Sequence, residues 1–152
     1  GKITFDVGEV TPPIPPDPKP PEPKPDPKPL PPAPIPVAGF RVLMVEETQD
    51  RIKLTAGQFN SMFGTASRNF LDANCVIEGK QAGYRIVDKD DAAGGDLKVW
   101  QDALKRAKSN PDFKTPYLIV SNGVTGFEGP MPQTEMEVML IFNRILTSKG
   151  RP

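Results

Sequence analysis

Proline is concentrated in one segment of this chain, and that concentration limits what the segment can fold into. Of the 20 prolines, 15 lie between Thr11 and Pro36. Proline fixes its own φ angle and restricts the residue before it, so the tract is excluded from helix and favours polyproline II. It has too little apolar surface to offset its ordering entropy. We therefore predict an extended polyproline II linker over residues 11–36, outside any core and on the order of 80 Å long.

The rest of the chain divides into a short N-terminal segment, residues 1–10, and a domain spanning residues 37–152. The domain, about 115 residues long, has a normal size for a single core. Apolar runs predict strands at 40–46, 84–88, 117–121 and 124–128. The capping boxes that begin at Thr55 and Thr134 predict helix starts, as does Asp96 as an N-cap after Gly94 and Gly95. Gly64 is expected to divide the first helical region into two helices.

The predicted order is β-α-β-α-β-β-α, which indicates an α/β fold with a mixed sheet between helical layers. Over roughly Phe40 to Lys149 this order resembles thioredoxin. Thr115-Pro116 lies just before the third strand, where that family has a cis-proline, and Gly126 and Gly129 follow in the hairpin. The resemblance implies a thioredoxin-like three-layer sandwich. The chain also resembles uncharacterised phage and environmental bacterial domains that share the Phe-Arg-Val-Leu strand, the Gly-Phe-Glu-Gly-Pro hairpin and a proline-rich lead-in.

Thiol chemistry is where the chain departs from thioredoxin. The family's Cys-x-x-Cys lies between the first strand and first helix, but residues 46–58 contain no cysteine. The single cysteine, Cys75, cannot complete a dithiol exchange cycle. We therefore predict no dithiol oxidoreductase activity. Cys75 is either a buried filler or the centre of a monothiol redox or thiol-transfer protein.

Composition argues against several other functions. The chain has no histidine, and its 19 basic and 19 acidic residues leave no net charge and no basic stripe. We expect no nucleic-acid partner, no cofactor, no metal and no membrane insertion. Asp88, Asp90 and Asp91 do not have calcium-loop spacing, and a solvated strand end is preferred over a cation site.

Two segments are candidates for partner binding. Ile3, Phe5 and Val7 alternate as in a strand. This segment is a hook that adds to another sheet, a remnant of an upstream domain or a frayed terminus.

The thioredoxin resemblance implies the second candidate, an edge beside the cis-proline where extended peptides dock. Its residues here are Pro116, Phe127, Glu128, Pro130 and Met131.

The sequence thus predicts a non-catalytic structural or binding module on a rigid tether. Its partner would be a protein or a larger assembly, such as a virion surface or a cell-envelope complex. A further alternative is an SH3-type adaptor, because residues 28–34 contain a basic PxxP pattern. The spacer interpretation is preferred.

Overall fold

A four-stranded mixed sheet organises the domain, in the order β4-β1-β5-β6. The computed structural model describes residues 3, 8, 12–23, 28–91 and 95–148. The elements are β1 (Arg41–Glu46), α1 (Ala56–Phe63), α2 (Thr65–Asn74), β2 (Ile77–Glu78), β3 (Gln81–Ala82), β4 (Tyr84–Asp88), α3 (Lys98–Ser109), β5 (Tyr117–Ser121), β6 (Gly126–Pro130) and α4 (Glu135–Thr147). β1 pairs with β4 in parallel and with β5 antiparallel, and β5 pairs antiparallel with β6.

Helices cover both faces of this sheet. Alternate residues of the central strands point to opposite sides, and the side chains on both sides are apolar and buried. Val42 and Met44 of β1 belong to one core cluster, which includes side chains of α1, α2 and α4. Leu43 and Val45 belong to a second cluster, which includes the buried side of α3. The predicted α/β class with a mixed sheet is therefore confirmed.

Local sequence signals explain most of the element boundaries. The Thr55 hydroxyl accepts from Gln58 N–H and the Gln58 side chain accepts from Thr55 N–H, so the predicted capping box is present. Gly64 separates α1 from α2, as expected. The Thr115–Pro116 peptide bond is cis, as the resemblance implied.

Two local predictions are wrong. Asp96 does not cap α3, because its carboxylate accepts from the Arg85 guanidinium at 2.9 Å and Leu97 occupies the cap position. The fourth strand begins at Gly126 rather than at residue 124. There Asn122 Oδ1 accepts from the backbone of Val124 and Thr125 and holds those residues in a turn. A 3-10 helix over Thr48–Lys53 and the small β2–β3 hairpin have no counterpart in the prediction.

The end of the proline tract packs on the domain, which contradicts the prediction that the whole tract stays outside the core. Ile35 is only 2 % exposed and joins the second core cluster. Its backbone oxygen accepts from the Ser121 hydroxyl at 2.8 Å. Ala33 N–H donates to Val124 O at 3.0 Å, and Gly126 N–H donates to Pro31 O at 3.2 Å.

Gly126 permits this close approach. A Cβ built there would lie 2.4 Å from Pro34 Cδ and 2.4 Å from Val120 O. Any side chain would therefore move the tract or the strand. The tract reaches the edge of β6 through an antiparallel bridge between Pro32 and Thr125.

Candidate partner-binding surface

The predicted surface beside the cis-proline is only partly accessible. Met131 N–H donates to Pro116 O at 2.8 Å, which brings these two residues together at the start of β5. Pro116 is half-buried and Pro130 is exposed. Met131 is 4 % exposed and belongs to the core, so its expected exposure is wrong. Pro116 and Pro130 remain the accessible part of this candidate.

Phe127 and Glu128 do not share a surface, because neighbouring residues of a strand point to opposite faces of the sheet. Phe127 packs half-buried against the core cluster that contains α1, α2 and α4. Glu128 lies on the other face, where its carboxylate accepts from Arg106 Nε at 2.9 Å and Nη2 at 2.7 Å. Because Arg106 already pairs with the Glu128 carboxylate, this carboxylate is not free to bind a peptide.

The N-terminal candidate lies mostly outside the described residues. Ile3 is described and 81 % exposed, whereas Phe5 and Val7 fall outside the described part of the chain. The strand-hook interpretation therefore stays a prediction.

Cys75 lies at the end of α2 and is 8 % exposed within the core. Burial raises the pKa of its thiol to about 12, and the Asp72 carboxylate adds to the rise. A thiol-transfer protein needs an accessible thiol with a lowered pKa. The structure therefore favours the filler interpretation of Cys75.

The acidic residues near the end of β4 are occupied by local contacts. Asp88 accepts from the backbone of Thr48 at 2.7 Å and of Asp90 at 2.9 Å, and hydrogen bonds from these two residues lower its pKa to about 2. Lys89 Nζ lies 2.9 Å from Glu47 and 3.0 Å from Asp90. Carboxylate oxygens of Glu47, Asp88 and Asp90 lie within 4.8 Å of one another, a spacing that could hold a cation. The ammonium group of Lys89 already supplies positive charge to these carboxylates. This favours the interpretation of the segment as a solvated strand end.

One groove was not anticipated from the sequence. It has a volume of about 290 Å³ and is lined by residues from the end of the proline tract and from α3. Its walls include Pro34, Pro36 and Val37 on one side and Val99 and Asp102 on the other. Ile35, the large aliphatic residue near the end of the tract, was the available signal that the tract returns to the domain.

Comparison with known proteins identifies no relative of this chain. No protein family, curated protein or solved structure matches this chain. Among the described residues, no helix has the length and apolar character needed to cross a bilayer.

Proposed function

We propose that this chain is a non-catalytic structural or binding module, in which a proline-rich tether presents a thioredoxin-like head. The observation that carries the proposal is the junction between the two. Because Ile35 is buried in the core and Ala33 is hydrogen-bonded to Val124, the last part of the tether has a fixed direction relative to the head. A tether fixed at its base and stiffened by proline holds a head away from its anchor.

The thioredoxin-like part of the proposal is supported by strand order. The second strand of the predicted series lies beside the first, and the third and fourth follow on the other side, with the third antiparallel to its neighbours. A mixed sheet between helical layers is what the resemblance implied. The buried Cys75 and the absence of a second cysteine argue for a head without redox chemistry.

The tether interpretation is also preferred to an SH3-type ligand. In the PxxP pattern, Leu30 packs against the core and Pro32 bridges to Thr125. A peptide held in an SH3 groove must present such residues to its partner. Here they contact the head instead.

We propose that the N-terminal segment anchors the module to a large assembly, such as a virion surface or a cell-envelope complex. The apolar alternation of Ile3, Phe5 and Val7 is suited to adding a strand to a partner sheet. Density-gradient sedimentation of material from the native source tests this, with fractions probed for the chain. Migration with a megadalton particle supports the proposal, whereas migration as a free small protein contradicts it.

A pair of variants then tests the anchor itself. Replacing Ile3, Phe5 and Val7 by serine should release the head from the particle. The matched control replaces Thr4 and Asp6 by serine, which alternate with these three residues in the sequence, and should leave the head bound. Equal retention of both variants would contradict anchoring by the apolar face.

A further inference from the structure

Helix α4 carries an apolar ridge that faces away from the core. Val138, Phe142 and Ile145 point inward and are buried. Met136 and Leu140 lie one turn apart on the opposite side and are 75 % and 62 % exposed. Residues spaced by four are neighbours on a helix surface, so these two side chains form a continuous ridge.

Two opposite charges lie along one flank of this ridge. Glu137 and Arg144 are both exposed and are separated by seven residues, so they lie two turns apart on the same side. Seven residues span roughly 10 Å of helix, too far for the two to pair with each other. Within the described part of the chain, neither side chain has a salt-bridge partner.

We propose that α4 docks antiparallel against α4 of a second copy of this chain, through Met136 and Leu140, with Glu137 facing Arg144 of the second copy. The midpoint between the two charges falls beside Leu140. A two-fold axis at that point brings the same flank of both helices together. Each copy then supplies one Glu137 and one Arg144, which gives two reciprocal ion pairs around a Leu140 contact.

Charge also selects the orientation of the pair. In a parallel arrangement in register, Glu137 would face another Glu137 and Arg144 would face another Arg144, and both contacts would be repulsive. The antiparallel arrangement replaces these with two attractive contacts. Like charges placed opposite one another disfavour the parallel arrangement, and the attractive pairs favour the antiparallel one.

The small area of the ridge limits the affinity of the dimer. A helix of 13 residues is about 20 Å long, and a single helix pair of that length buries less than the roughly 1,200 Å² of a standard interface. We therefore expect a weak dimer, with a dissociation constant on the order of 100 μM to 1 mM. This self-association does not depend on the tether or on anchoring to an assembly.

Reciprocal charge reversal tests the proposal on the full chain. Sedimentation equilibrium from about 20 μM to about 1 mM, at low salt, should show dimers of the unchanged chain. E137R and R144E should each weaken association at least about fivefold, because each creates two like-charge contacts. An equimolar mixture of the two variants should recover it, since the heterodimer has both attractive pairs again.

The controls separate this contact from general effects of charge. Lys105→Glu alters an exposed residue of α3 and should leave association unchanged, whereas Leu140→Lys should abolish it. Misfolded variants could not produce recovery on mixing. The proposal is overturned if the unchanged chain stays monomeric at about 1 mM. It is overturned equally if the mixture associates no better than either variant or if Leu140→Lys associates normally.

Discussion

Replacing Ile35 by alanine tests whether the end of the proline tract belongs to the core. Ile35 is 2 % exposed, so the change removes three buried carbon atoms. At about 0.8 kcal/mol per buried methylene, the transfer contribution is about 2.4 kcal/mol. A cavity adds to this cost, but the open groove beside Ile35 allows the site to relax. We therefore expect the free energy of unfolding to fall by about 2–3 kcal/mol.

The assay is urea denaturation followed by the fluorescence of Trp100, the only tryptophan, which lies in the same core cluster as Ile35. Ile14→Ala is the matched control, because Ile14 lies in the same tract but is 89 % exposed. Its effect should stay within about 0.5 kcal/mol. If Ile35→Ala is as mild as Ile14→Ala, the tract does not contribute to the core and the reasoning fails.

Three further predictions follow from the same structure. Cys75 should react with a thiol reagent at pH 8 far more slowly in the folded chain than in urea, because burial raises its pKa to about 12 and keeps it protonated. Asp88 has a folded-state pKa near 2, below its ordinary value of 3.8, so its stabilising effect is present above pH 4 and is lost as pH falls toward 2. Asp88→Asn should therefore reduce the loss of stability measured by denaturation between pH 4 and pH 2. Gly126→Ala should destabilise the fold by roughly 1–3 kcal/mol, because its Cβ would overlap Pro34 and Val120, whereas Gly95→Ala meets open space.

Each of these has an outcome that contradicts it. Equal reactivity of the folded and unfolded thiol would show that Cys75 is accessible. An unchanged acid profile in Asp88→Asn would mean that the hydrogen bonds from Thr48 and Asp90 do not hold the carboxylate. Equal stability of the Gly126→Ala and Gly95→Ala variants, measured by urea denaturation, would show that the tract does not approach β6 closely.

The sequence predicted the elements that carry strong local signals. β4 and β5 have the predicted bounds because each is a short apolar run between turn residues. α1 begins where Thr55 and Gln58 form a capping box, and Gly64 divides it from α2. These boundaries depend on contacts between residues close in the chain, which a sequence pattern records directly.

What the sequence did not predict depends on contacts between distant residues. Ile35 is buried where the hydroxyl of Ser121, 86 residues away, donates to its backbone oxygen. Asp96 does not cap α3, because its carboxylate accepts a hydrogen bond from Arg85. Met131 is buried although its neighbour Pro130 is exposed. Such pairings follow from how strands and helices meet in space, and composition or spacing does not encode them.

Amide hydrogen exchange at the junction of tether and head tests whether the end of the proline tract is fixed to the domain. Ala33 N–H is hydrogen-bonded to Val124 O, whereas Lys19 lies in the exposed part of the tract. If the end of the tract is built into the head, Ala33 should exchange at least about a hundredfold more slowly than Lys19, after correction for intrinsic rates. Exchange of Ala33 at the same corrected rate as Lys19 would contradict a tether fixed to its head.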